Sequence, residues 1–148
     1  MKFVVQRVKK SKVTVDGKEV GKIEKGYNVL IGISKTDDYK IADKMIRKLL
    51  NLRIFNDEND KMNLSIKDVD GEILAISQFT LCGNLKSGNR PSFIDAGRPK
   101  MSLPLYEYIV EELKKSVRKV ETGIFGAHMD VEISNDGPVT IILESDKI

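Results

Sequence analysis

Two short segments hold the residues best suited to chemistry: Ser77-Gln78-Phe79-Thr80-Leu81 and Asn135-Asp136-Gly137-Pro138-Val139-Thr140. In the first, hydroxyls and an amide stand where the apolar run Ile73 to Ile76 ends. A strand that ends in polar residues frees backbone N–H groups from the sheet. Such donors, aimed at a developing oxyanion, contribute on the order of 3 kcal/mol of transition-state stabilisation. The same residues also suit a plain strand-to-loop turn, in which Ser and Thr satisfy local backbone groups. No base is adjacent in sequence to activate Ser77 or Thr80. In the second segment, Gly137 tolerates backbone geometry closed to other residues, and cis costs a Gly-Pro bond only about 0.5–1 kcal/mol over trans. A cis Gly137-Pro138 would turn two successive carbonyls to one side, a pair of acceptors suited to an ammonium group. An ordinary turn between two strands is the other reading.

The rest of the inventory excludes several chemistries. One histidine, His128, and one cysteine, Cys82, do not make a two-histidine zinc site or an internal disulfide, and a single thiol fits a reducing cytoplasm. Cys82 with His128 reads either as a thiol nucleophile and its base or as a small buried hydrophobe and an unrelated ring. The run Asn56-Asp57-Glu58-Asn59-Asp60 lacks the glycine and closing glutamate of a calcium loop and reads as a solvated turn. There is no Gly-rich phosphate cradle and no Gly-x-Ser-x-Gly elbow. No metal and no cofactor is expected. No stretch approaches the roughly 20 apolar residues of a membrane span, and the N-terminus is charged too soon for a signal peptide. The expectation is a cytoplasmic protein with no membrane partner. A net charge of +3 permits an anionic partner without requiring one.

The elements that must position these segments follow from periodicity. At 148 residues the chain has the length of about one domain, and 41% hydrophobic content suffices for a core. Phe3 to Val8 is apolar on both phases, as in a strand covered on two sides. Val13 and Val15 alternate with polar neighbours before Asp16-Gly17, a hairpin turn leading to a strand that ends near Ile23. Tyr27 to Ile33 reads as a central strand. A helix capped by Thr36 or Asp37 carries the stripe Ile41, Met45 and Leu49. Arg53 to Phe55 and Ile73 to Ile76 read as strands, and Gly83 to Arg98 as a loop. A second helix is predicted from near Ser102, buried along Leu105, Ile109, Leu113 and Val117. Two final strands, Met129–Ile133 and Val139–Leu143, are joined through Asn135 to Pro138. The pattern is one α+β domain over residues 1–148, with mainly antiparallel sheet and two principal helices.

Taken together, the segments closely resemble the D-aminoacyl-tRNA deacylase family. Its signatures, SQFTL and NxGPVT, stand unbroken at Ser77 to Leu81 and Asn135 to Thr140. Similarity extends to Gln6-Arg7-Val8, Arg53-Ile54-Phe55, Lys61-Met62-Asn63, Arg90-Pro91-Ser92-Phe93 and Thr122-Gly123 with Phe125. The resemblance implies the family's fold and hydrolysis of the ester between a D-amino acid and the 3′-terminal adenosine of tRNA. L-aminoacyl-tRNA is rejected and mischarged glycine accepted. It implies a homodimer in which Gly137-Pro138 of one subunit completes the other's pocket, its carbonyls holding the ammonium group and excluding an L side chain. By the same resemblance Phe79 and Thr80 present backbone N–H groups to the scissile carbonyl, Ser77 and Gln78 shape the floor, and Phe125 and Met129 line the adenosine pocket. Thr80 as nucleophile and the RNA 2′-hydroxyl as helper of water are both open; the second is preferred because Thr80 has no evident base. Ser102 and the stretch Ile124 to His128 depart from the family's common pattern, which touches only the fine shape of the pocket.

A tRNA substrate would meet cations. Lys9, Lys10 and Lys12, the loop residues Lys86 and Arg90, and Lys114, Lys115, Arg118 and Lys119 are candidates for phosphate contacts, each equally readable as solvated surface. The alternative function is a nucleic-acid-binding module without catalysis, built on the same basic surface.

Overall fold

The computed structural model describes all residues from Met1 to Ile148. A strand β1 (Lys2–Val15) runs through the middle of the sheet. Its first half pairs antiparallel with β3 (Gly26–Gly32), and its second half with β2 (Lys18–Ile23). The tight turn between β1 and β2 is the expected Asp16-Gly17, both residues at positive φ. The other edge of β1 is covered by β8 (Asp130–Glu144). Beyond β3 the sheet continues in parallel with β6 (Glu72–Ser77) and then β7 (Val120–Thr122). The two-residue strand β4 (Phe55–Asn56) and β5 (Met62–Leu64) form a separate ribbon. Sequence periodicity finds strands but not their partners, so the two parallel pairings were not visible in it.

Both helices lie on one face of the sheet. Helix α1 (Tyr39–Leu50) buries Ala42, Met45, Ile46, Leu49 and Leu50, and helix α2 (Pro99–Lys114) buries Leu105, Tyr106, Ile109, Val110 and Leu113. These stripes close on Phe3, Val5, Val29 and Ile73 to make the main core. Each fully buried aliphatic side chain there contributes roughly 1.5–3 kcal/mol. A smaller cluster of Val8, Val13, Ile23, Leu74 and Ile76 fills the opposite face at one end.

Six local expectations need correction. Helix α2 stops at Lys114, so Val117 is buried beyond its end, and the runs Phe3 to Val8 and Val13 to Val15 are parts of one strand, β1. Asp38, one residue later than predicted, caps α1 by accepting the Ile41 N–H at 2.8 Å, while Asp37 turns inward and accepts from the Ser34 N–H at 2.6 Å. Helix α2 begins at Pro99 rather than near Ser102, because proline suits a first helical turn whose N–H would be unpaired anyway. Arg53 and Ile54 lie outside the ribbon strand that starts at Phe55. The two final strands are one strand, β8, both halves of which pair with the same β1.

Candidate functional site

The register of β1 against β8 explains how the Gly-Pro segment is displayed. Gln6 pairs with Thr140 and Val8 with Asn135, so Asp136 to Val139 stand opposite Arg7 alone. The surplus chain must leave the sheet, and it does so as a bulge with Gly137 and Pro138 exposed at its tip. The Asn135 side chain closes the base: its Oδ1 accepts the Val139 N–H at 2.7 Å, and its Nδ2 donates toward the Val139 carbonyl at 3.3 Å and Thr140 Oγ1 at 3.1 Å. Arg7 braces it from beneath. Its Nε donates to the Asp136 carbonyl at 3.0 Å, and its Nη1 to the Ile54 carbonyl at 2.7 Å and to Asn56 Oδ1 at 2.9 Å. The Gly137-Pro138 peptide is cis, and Gly137 has φ of +133°.

The other segment closes β6. Ser77 ends the strand, and Phe79 to Cys82 form a single 3-10 turn. The Gln78 N–H is spent on the Ile31 carbonyl at 2.8 Å, and the first bond inside the turn runs from the Leu81 N–H to the Gln78 carbonyl at 3.3 Å. The N–H groups of Phe79 and Thr80 therefore have no acceptor within the turn, as at any helix start. The Thr80 hydroxyl is hydrogen-bonded by the Gln78 side-chain amide. Phe79 is 57% exposed and meets Phe93 edge-on at 5.1 Å.

A cleft of about 460 Å³ opens beside this turn. Ser77, Gln78 and Phe79 form one side, Gly97, Pro99 and Ser102 another, and Phe125, His128 and Met129 a third. Phe125 is backed by Tyr106 at 5.8 Å between ring centres, and the Tyr106 hydroxyl donates to the Ala75 carbonyl of β6 at 2.8 Å. Helix α2 thus holds the Phe125 wall in place against the strand that carries the floor. Of the predicted site residues, Ser77, Gln78, Phe79, Phe125 and Met129 are brought together here. Thr80 adjoins the cleft without lining it, and Gly137 and Pro138 stand apart from the cleft of their own chain. Cys82 and His128 are not a pair: Cys82 borders a different hollow with Lys2 and Lys86. Burial pushes the Cys82 thiol up, away from the reactive thiolate.

Sequence reading missed the part played by Arg7. A signal was available. An arginine within the apolar run Val4 to Val8, at a phase facing the interior, must find several acceptors or not be there.

The family model for D-Tyr-tRNA(Tyr) deacylase matches residues 4–144, and the chain belongs to that family. It is 55% identical to the D-aminoacyl-tRNA deacylase of Aquifex aeolicus over 148 residues, all of both chains. It is 53% identical to that of Caldicellulosiruptor bescii, covering 100% of this chain and 99% of the relative. Among solved structures, a c-Myc DNA unwinding element binding protein superposes with a TM-score of 0.93 at 46% identity, covering 97% of this chain and 98% of that one. A probable eukaryotic D-amino acid tRNA deacylase, at 17% identity, shares the fold with a TM-score of 0.81 over 96% of this chain and 97% of that one.

Proposed function

We propose that the protein hydrolyses the ester of D-aminoacyl-tRNA, and of mischarged Gly-tRNA, to free amino acid and tRNA, while rejecting L-aminoacyl-tRNA. The observation that carries this reading is the turn after β6, where the Phe79 and Thr80 N–H groups have no acceptor within the turn and Phe79 lines a cleft large enough for a nucleoside. In the proposed reaction, water attacks the ester carbonyl and the carbonyl oxygen becomes an oxyanion received by those two donors. The bond to the 3′-oxygen then breaks, and that oxygen takes up a proton. Such an ester is already activated, so positioning and oxyanion stabilisation supply most of what catalysis needs. Ser77 and Gln78 shape the floor, and Phe125 and Met129 receive the terminal adenosine. The RNA's own 2′-hydroxyl assists the water. The protein acts without a cofactor, in the cytoplasm where tRNA is used. No helix is long and apolar enough to cross a membrane.

Thr80→Ala is expected to keep turnover within about tenfold of the unaltered protein, since the hydroxyl is engaged by Gln78 and has no base. Complete loss in a folded variant, measured by release of labelled D-tyrosine, would restore covalent catalysis by Thr80.

The same reading makes the active unit a homodimer in which the partner's Gly137 and Pro138 carbonyls meet the ammonium group. Two features support it. The Gly-Pro tip is exposed and takes no part in lining its own cleft. On the sheet face away from the helices, Ile142, Val4, Leu30 and Ile76 follow one another in register across four strands. That row runs from Ile142, 59% exposed, to Ile76, which lines the cleft. An apolar row left open at one end and leading to the site fits a second copy of this chain. Ile142→Lys is expected to convert the dimer to monomer in sedimentation and to lower turnover by about a hundredfold, the scale of losing a positioned group. An active monomer would remove the shared site.

The deciding experiment for the activity offers the purified protein D-Tyr-tRNA, L-Tyr-tRNA and Gly-tRNA. Rapid turnover of the first and third with the second spared is expected. Equal rates on D and L forms would sink the chirality reading. The likeness to a protein named for binding a DNA element gives the alternative, a non-catalytic nucleic-acid-binding module, its one specific support. Salt-sensitive binding with no ester turnover would favour it.

A further inference from the structure

The cations predicted as phosphate contacts divide sharply once their partners are seen. Lys114 and Lys115 are paired with Glu111 and Glu112, Arg118 with Asp70 and Glu72, Lys119 with Glu72, and Lys12 with Glu132. A nucleic acid reaching those residues must compete with carboxylates already in place. Lys9, Lys10, Lys86 and Arg90 are exposed and outside every ion pair, but none of them adjoins a residue that lines the cleft. Two cations that sequence reading passed over combine both properties. Arg98 and Lys100 are exposed, and neither takes part in any of the protein's ion pairs. They alternate along the chain with Gly97 and Pro99, which line the cleft. The first turn of α2 supplies no acidic residue to neutralise them.

Their backbone is also fixed. The Arg98 carbonyl accepts N–H groups from Met101 and Ser102, each at 2.9 Å. The Ser102 hydroxyl lies 2.8 Å from that carbonyl and 3.1 Å from the Gly97 carbonyl, and the Gly97 N–H donates to the Ile33 carbonyl at 2.9 Å. The loop before them is anchored through the Phe93–Phe79 contact and by Lys35 on Asp95 at 2.7 Å. The lining itself is nearly uncharged, His128 being its one ionisable side chain. A nucleoside fits such a lining. The phosphate on its 5′ side does not, and must lie at the rim.

We propose that Arg98 and Lys100 seat the backbone phosphates immediately upstream of the terminal adenosine, so that the protein grips the single-stranded 3′ end of its RNA at the cleft mouth. This rests on the cleft receiving that adenosine, as argued above. Contacts of this kind add affinity without base readout, which suits an end common to many RNAs.

The test compares the double variant Arg98→Gln/Lys100→Gln with Lys114→Gln/Lys115→Gln as control. The readout is binding of a fluorescent single-stranded RNA ending in CCA, measured over a series of KCl concentrations. The mouth variant is expected to bind about tenfold more weakly, with a log–log salt slope shallower by about 1.4, the contribution of two single-strand phosphates. The control should match the unaltered protein. Unchanged affinity and slope in the mouth variant, or a larger effect in the control, overturns the proposal, as does failure of the unaltered protein to bind. A second arm measures hydrolysis of 3′-O-D-tyrosyl-adenosine, which has no phosphate. The mouth variant should cleave it at the unaltered rate, and a parallel loss there assigns the two residues to the cleft and overturns the phosphate role. Failure of the unaltered protein to cleave any ester counts against the activity, while the binding arm still decides on Arg98 and Lys100.

Discussion

Gly137→Ala is expected to lower turnover of D-Tyr-tRNA by about a hundredfold, the scale of loss that a displacement of about 1 Å causes in a positioned reactant. A Cβ at Gly137 would lie 2.8 Å from Val139 Cγ2 and 3.1 Å from both Arg7 Nη2 and the Val139 nitrogen. The φ of +133° adds a second penalty, since L residues rarely adopt it. The tip must move to accommodate the methyl, and with it the two carbonyls proposed to hold the ammonium group of the partner's substrate. Backbone strain of this kind costs about 1–3 kcal/mol, so a fall in melting temperature of several degrees should accompany the loss. Gly17→Ala separates the two effects. Gly17 also has positive φ, +75°, but nothing within 4 Å of the added carbon, and it sits in the β1–β2 turn. It should lower stability and leave turnover alone. Activity in Gly137→Ala within twofold of the unaltered protein would mean that the tip does not meet substrate.

How much of this was legible without coordinates differs between the two segments. The Ser77 to Leu81 segment was readable because β6 obeys its pattern: Ile73 to Ile76 are all buried, and the first polar residue ends the strand. The amphipathic stripes of α1 and α2 were equally clear, because a helix repeats its buried face every three or four residues. The Gly-Pro segment was harder. Two apolar stretches separated by Asn-Asp-Gly-Pro look like two strands and a turn, and local sequence does not reveal that both pair with one long β1. Lys9 and Lys10 hid the continuity of β1 in the same way. Both are exposed, beside the place where the β1–β8 register slips, so they read as a break in a strand that in fact continues. The family resemblance named the Gly-Pro tip as a working part, but the reason it projects is a register difference between strands far apart in sequence.

Arg7 ties these observations together, and its removal is the second large effect expected. The side chain is almost wholly buried, and its guanidinium joins three pieces of chain: β1 itself, the Ile54–Asn56 segment and the bulge of β8. Asp136 Oδ2 at 3.6 Å supplies a countercharge. Arg7→Ala leaves the Ile54 and Asp136 carbonyls without their donor and should cost about 3 kcal/mol of stability, read from urea unfolding. Arg7→Lys keeps the charge but cannot span three acceptors with a fixed fork, so it should recover part of the stability and little of the discrimination between D- and L-Tyr-tRNA. The informative experiment is the double-mutant cycle with Gly137→Ala. If Arg7 acts by holding the tip in place, both substitutions disturb one structural unit, and the double variant should lose hardly more selectivity than the worse single. If the losses in selectivity simply add, Arg7 affects selectivity by a route independent of the tip, which then keeps its position by the Asn135 bonds at its base.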